Sequence, residues 1–156
     1  FATAIDLIVL NAKTKITVTI AGSPADSYLA SEIISNSKSE AIIEDKTGKT
    51  NLVELVELIN NADLLISNDT SAIHIAASTQ TVAICISNGN HFGRFIPYPS
   101  NIANHIHAFY PIDDFNNKGN YAALNNLYKH SSSLNINNVD PMIIAKEALS
   151  ILNNVN

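Results

Sequence analysis

The densest concentration of chemistry in the chain is Ser67-Asn68-Asp69-Thr70-Ser71-Ala72-Ile73-His74-Ile75-Ala76-Ala77. A buried-type strand at 64–67 runs into a polar turn, and the turn runs directly into a small-residue helix predicted over 72–78. Thr70 and Ser71 supply hydroxyls, and the first turn of the helix supplies backbone N–H groups that have no partner inside the helix. Together with the helix dipole these form an anion site suited to a phosphate. His74 follows Asp69 by five residues, which places it in the first helical turns near the same mouth. Ala76 and Ala77 allow the helix to approach a sheet closely. The same residues also read as an ordinary cap, with Asp69 or Thr70 as N-cap and His74 packed under the helix. The spacing leaves both readings open.

A second cluster is Asn88-Gly89-Asn90-His91-Phe92-Gly93-Arg94-Phe95-Ile96-Pro97-Tyr98-Pro99. It follows the clearest strand pattern, residues 81–86, and it holds the only arginine. Arg94 suits bidentate recognition of phosphate or carboxylate; it equally suits a structural cation–π pair over Phe92 or Tyr98. Other motifs carry less. Thr47-Gly48-Lys49-Thr50 looks like the end of a P-loop, but the glycine required five residues earlier is Ile43. Ala21-Gly22-Ser23-Pro24 is not a GxGxxG fingerprint, which disfavours an NAD-dependent reductase. His105 and His107 share a strand face without a Cys or carboxylate cluster, so a structural or surface role is expected. Asp113-Asp114 lies in an Asn-rich stretch and reads as a solvated pair. Cys85 falls mid-strand as a small buried hydrophobe; alone it forms neither an internal disulfide nor a zinc site, and a reducing compartment follows.

The elements that must position these residues alternate strand and helix. Residues 15–20, 41–43, 64–67 and 81–86 read as strands, with 105–110 as one more. Helices are predicted at 26–35, with Leu29, Ile33 and Ile34 on one stripe, and at 52–60, with Leu52, Leu55, Val56 and Ile59 at amphipathic spacing. Residues 112–138 read as loop with a short helix at 121–128. Asp140-Pro141 starts a last helix with Ile143, Ile144, Ala148 and Ile151 on its apolar side. This alternation predicts βαβ units and a Rossmann-like doubly wound parallel sheet, with ligands at the carboxyl ends of the strands. The loops at 22–26, 68–71 and 87–99 leave those ends. Residues 1–11 look like a helix that packs on a strand upstream of Phe1. The chain is therefore expected to be part of a longer protein, lacking the first strand of its sheet.

Composition bounds the rest. A single domain of 156 residues buries roughly 68–70% of its unfolded surface, and one domain over 1–156 is expected. At 46% hydrophobic and 15% charged the chain is not intrinsically disordered. Its net charge of -5 argues against a nucleic-acid partner, which requires a basic face. The 21 Asn residues are read as coding bias rather than function. No apolar run is long enough to span a membrane, no signal peptide pattern opens the chain, and a cytoplasmic location is expected.

Leu52-Val53-Glu54-Leu55 and Ile59, followed by Asn61-Ala62-Asp63 and the segment from Leu64 to Ala77, resemble the donor-binding half of glycosyltransferase family 9, the bacterial ADP-heptose:lipopolysaccharide heptosyltransferases and their relatives. Ile20-Ala21-Gly22-Ser23-Pro24-Ala25-Asp26 is similar to the family's strand and turn, and Asp45-Lys46-Thr47-Gly48-Lys49-Thr50-Asn51-Leu52 to its next segment. The resemblance runs over about residues 16–99, and the capped helix after Asp140 fits it. It implies the C-terminal half of a GT-B enzyme of two Rossmann-like domains, transferring sugar from a nucleotide-diphosphate-sugar donor with inversion, without metal or other cofactor. By position it places Asp69 on the donor sugar, Thr70 and the backbone of Ser71 on the diphosphate, and His74 beside them. Asp26, in the turn with Gly22 and Ser23, falls on the nucleotide ribose, and Thr50 near the base. Arg94 is assigned to the donor or the interdomain cleft. The family's glycine after Asp-Thr is Ser71 here, which predicts altered donor binding, and Thr81 stands where the family has proline. The acceptor site, the aspartate base and a lysine of the family have no counterpart, so the chain alone is expected to bind donor without turnover. Peripheral contact with the inner face of the cytoplasmic membrane is implied for the whole protein. The rival expectation is a non-catalytic Rossmann-like nucleotide-binding or interaction module.

Overall fold

The computed structural model describes residues 1–116 and 118–154. Asn117, inside the stretch read as loop, and Val155 and Asn156 lie outside the described residues. The chain runs α1 (Ala2–Asn11), β1 (Thr17–Ile20), α2 (Ser27–Asn36), β2 (Ile42–Asp45), α3 (Leu52–Asn60), β3 (Leu65–Asn68), α4 (Ser71–Thr79), β4 (Ala83–Ile86), α5 (Ser100–Ala103), β5 (Ile106–Phe109), α6 (Tyr121–Tyr128) and α7 (Pro141–Leu152), with short 3-10 turns between them. This is an α/β fold of parallel sheets with helical crossovers. Helices α3 and α6 have the bounds read from the sequence. The chain divides into two compact units, Phe1–Leu58 with Pro141–Asn156, and Ile59–Asp140.

In the first unit β1 pairs with β2 in parallel, from Thr17 opposite Ile42 to Ile20 opposite Asp45. Helix α2 makes the crossover. Its buried residue is Ala30, whereas Leu29 and Ile34 are exposed. The predicted stripe fails because counting large side chains overlooks alanine, the residue that lets a helix come closest to its neighbour. In α7 the predicted Ile144 and Ala148 are buried, with Ala145 beside them, and Ile143 is exposed. Helices α1 and α7 pack together, with Ala4 and Ile8 as the buried residues of α1. Asp6 anchors α1 to the segment after α2. Its carboxylate accepts from the Ser37 hydroxyl at 2.6 Å and from the N–H groups of Lys38 and Ser39, each at 2.9 Å. Beyond the paired strands, the Lys46 N–H donates to the Ile20 carbonyl at 2.8 Å and the Gly48 N–H to the Gly22 carbonyl at 2.9 Å. Gly48 has φ +67°, and a Cβ there meets the Pro24 backbone at 3.0 Å, so the turn after β2 requires glycine.

In the second unit the strand order is β3-β4-β5, all parallel. The central strand β4 is apolar, and Ala83, Ile84 and Cys85 are fully buried. Such a strand is covered on both faces, which explains its continuous apolar run. Helix α4 packs on β3 and β4 through Ile73 and Ala76, both fully buried. It ends at Gln80 in the left-handed region, φ 64°. The next residue, Thr81, is buried and its hydroxyl donates to the Ile59 carbonyl at 3.0 Å. A second core forms beyond the sheet from Phe92, Phe115 and Leu124, with Tyr110, Ile112, Tyr128 and Leu134 packed against it. Tyr110 stacks on Phe115 at 4.3 Å. This cluster holds the loop after β4 by its aromatic residue Phe92.

Candidate functional site

The parallel register of β3 and β4 sets Ser67 opposite Cys85 and Asn68 opposite Ile86. One residue further, Asp69 and Ser87 come together at the carboxyl ends of the two strands. The Ser87 hydroxyl donates to Asp69 Oδ2 at 3.2 Å and accepts the Gly89 N–H at 3.1 Å. Ser87 is 1% exposed, so this hydroxyl is a buried tie between the turn after β3 and the loop after β4. Gly89 follows with φ +82°, and a Cβ on it lies 2.7 Å from the Phe115 ring. Only glycine lets the loop pass that close to the aromatic core.

Thr70 is the N-cap of α4, in extended conformation at φ −135°. Its hydroxyl accepts from the Ala72 N–H at 3.4 Å and bonds with the Ser67 hydroxyl at 3.2 Å. Ser71 is the first residue of α4. The non-glycine residues at positive φ among the described residues are Gln80 and His91, so the serine in place of the family's glycine sits in ordinary helical geometry. His74, one turn into α4, has Nδ1 at 2.6 Å from Tyr98 Oη and meets Phe95 edge-on at 5.9 Å. Thr70 therefore caps the helix and His74 is packed, as the capping reading has it, and a cavity lies at the mouth of the helix.

It opens on a cavity of about 350 Å³ lined by Asp69, Thr70, Ser71 and His74 on one wall and by Asn88, Asn90, His91 and Phe95 on the other. The second wall is fixed from behind. The Ser132 hydroxyl donates to the Asn88 carbonyl at 2.6 Å, and the Asn125 side chain donates to the Phe92 carbonyl at 2.7 Å. His91 stands at φ 54°, with its ring edge-on to Phe95 at 6.3 Å. The Arg94 guanidinium lies over Phe95, 4.9 Å from the ring centroid. That is the cation–π arrangement, on Phe95 rather than on Phe92 or Tyr98, and Arg94 does not line the cavity.

Burial, and after it the charge of Asp69, pushes the Cys85 thiol far above its ordinary range, which makes it inert. Burial raises the Tyr98 phenol too, with smaller contributions from Asp69 and Cys85. No group of three or more His, Cys, Asp or Glu among the described residues is placed to hold a metal ion. No helix among them is long and apolar enough to cross a membrane.

Gly22, Ser23, Asp26 and Thr50 belong to the first unit. The Ser23 N–H and hydroxyl both donate to Asp26 Oδ2, at 2.8 and 2.7 Å. These bonds, the hydroxyl's first, hold the Asp26 carboxyl below its ordinary range. A Cβ on Gly22 lies 3.0 Å from the same oxygen. Thr50 precedes Asn51, which caps α3: the Glu54 N–H donates to the Asn51 side chain at 3.0 Å, and the Asn51 N–H donates to the Glu54 carboxylate at 2.7 Å. Thus Asp69, Thr70, Ser71 and His74 share one cavity, Gly22, Ser23, Asp26 and Thr50 belong to the other unit, and Arg94 lies in the unit of the cavity without lining it. Ser87, Asn88, Asn90, His91 and Phe95 are marked by the sequence only through their loop, and Tyr98 only as a cation–π partner for Arg94. A composition dense in Asn, His and aromatics after the strongest strand was the available signal.

The sequence profile of Glycosyltransferase family 9 (heptosyltransferase) matches residues 6–122. The crystal structure of a glycosyl transferase of family 9 from Veillonella parvula DSM 2008 is similar, with a TM-score of 0.67 and 21% identity. The match covers 97% of this chain and 40% of that one, so the chain spans well under half the length of that relative. No curated protein matches it.

Proposed function

The chain belongs to glycosyltransferase family 9, and from that premise we propose that it is the donor-binding part of an inverting, metal-independent glycosyltransferase that uses a nucleotide-diphosphate-sugar such as ADP-heptose. The observation that carries this reading is one cavity that joins the N-terminus of α4 to the Asp69 carboxylate. The two ends have opposite preferences. The positive end of the helix dipole, with the Ser71 backbone at the mouth of α4, favours phosphate oxygens. An ionised carboxylate only accepts, so it favours sugar hydroxyls. A diphosphate joined to a sugar satisfies both at once. Asn88 and Asn90 supply further amide donors and acceptors on the facing wall. For Gly22, Ser23, Asp26 and Thr50 the nucleotide-side role rests on the family resemblance. The acceptor, and the general base that must lie within hydrogen-bond reach of its hydroxyl, are assigned to sequence outside these 156 residues. Lipopolysaccharide as acceptor, and contact with the inner face of the cytoplasmic membrane, belong to the same proposal.

Calorimetric titration with ADP, UDP and their sugars tests it. Asp69→Ala and Thr70→Ala are expected to abolish the binding seen with the wild type. Binding that survives both substitutions unaltered puts the site elsewhere.

A further inference from the structure

A histidine has two ring nitrogens, and the hydrogen bond made by one decides what the other presents. His74 lines the cavity, whereas Tyr98, whose hydroxyl lies 2.6 Å from His74 Nδ1, does not. Tyr98 stands in the loop after β4, 24 residues along the chain. A phenol is an acidic O–H donor and a neutral imidazole nitrogen is a strong acceptor, so a contact this short is best satisfied with Tyr98 donating. Burial raises the phenol, followed by the charges of Asp69 and Cys85, so Tyr98 retains the proton it donates. The ring plane is held independently, edge-on to Phe95 and to Tyr98, each at 5.9 Å.

We infer that Tyr98 is a positioning residue of the cavity: by donating its hydroxyl hydrogen to Nδ1 it fixes His74 as the Nε2–H tautomer, and so supplies an N–H donor for an oxygen of a bound diphosphate. No bond is made or broken; the hydroxyl selects between two forms of one side chain. Without it the ring populates both tautomers, and the Nδ1–H form leaves a lone pair at Nε2, which repels a phosphate oxygen. The inference rests on the donor-site reading, which it deepens by naming how the diphosphate end is completed from the facing loop.

Two measurements on the same protein test it. Nitrogen-15 correlation spectra at alkaline pH report the imidazole tautomer, with His74 assigned by its disappearance in His74→Gln. Titration with inorganic pyrophosphate reports the anion. The wild type is expected to show Nε2–H at His74. Tyr98→Phe is expected to show mixed tautomers and to bind pyrophosphate roughly tenfold more weakly, the loss expected for one donor to a charged group. A wild-type His74 in the Nδ1–H form overturns the inference without any variant. So does a Tyr98→Phe protein with unchanged tautomer, or one with altered tautomer and unchanged affinity. A wild type that binds no pyrophosphate overturns the donor-site reading together with this inference. It is told apart from failure of the inference alone, in which wild type and Tyr98→Phe bind equally.

Discussion

Asp26 and Asp69 occupy equivalent places, each in the polar turn that leaves the carboxyl end of a parallel strand, and the structure treats them in opposite ways. Around Asp26 the turn is closed on itself. Ser23 spends both its N–H and its hydroxyl on one carboxylate oxygen, and the Gly48–Gly22 hydrogen bond ties the turn to its neighbour. Around Asp69 the polar groups are held from behind, by the buried Ser87 hydroxyl at a longer 3.2 Å, and a cavity lies in front. The first turn is hydrogen-bonded inward and the second is braced outward. A strand end becomes a candidate site when its support comes from the side away from solvent, which leaves lone pairs and N–H groups to meet a ligand.

Ser87→Ala should break this contrast most severely. It removes one donor and one acceptor from a buried position and leaves the Gly89 N–H without a partner, at a cost of about 1–3 kcal/mol. Thermal unfolding should show the loss of stability, and pyrophosphate affinity should fall with it because Asp69 and the loop after β4 lose their common brace. Ser23→Ala is the matching change in the closed turn. Its groups are exposed and water replaces them, so the fall in Tm should be smaller than for Ser87→Ala, with pyrophosphate binding unchanged. Loss of pyrophosphate binding in Ser23→Ala would erase the distinction between the two turns.

The smallest effect is expected at Asp6, which resembles Asp26 in being satisfied inward. The Ser37 hydroxyl, then the Lys38 N–H, and with them Ser39, hold its carboxyl below the ordinary value against the opposing effect of desolvation. A carboxyl lowered by folding contributes stability that is present above its unfolded value, about 3.9, and is lost as pH falls through its lower folded value. Asp6→Asn should therefore be less stable than wild type at neutral pH, and the two should converge in acid. Chemical denaturation at a series of pH values checks the sign: a gap that widens in acid contradicts it.

Much of this was legible in the residues, for reasons that differ by element. Apolar runs mark the strands most plainly at β4, which is buried on both faces; β1 and β2 are marked by β-branched and aliphatic residues although their positions alternate between exposed and half-buried. The amphipathic spacing of α3 and the change from polar turn to small-residue helix at Thr70 were equally plain, and the latter located half of the cavity. The phase of α2 is set by Ala30, not Leu29, and a count of large side chains does not reveal it. The other half of the cavity was hidden in a loop. Which side chains face inward there follows from positive φ at Gly89, His91 and Gly93 and from hydrogen bonds to Asn125 and Ser132, far along the chain. Periodicity carries no information on either. Arg94 is conspicuous as the only arginine, yet Phe95 beside it is the residue on the cavity wall.

Phe95 is also where His74, His91 and Arg94 meet, and the residue is 44% exposed. The protein contains no tryptophan. An indole introduced at this position would be the molecule's sole long-wavelength emitter, seated between two imidazoles that quench when protonated and beneath a guanidinium. The same stacking that braces the wall would then turn occupancy of the cavity into an optical signal.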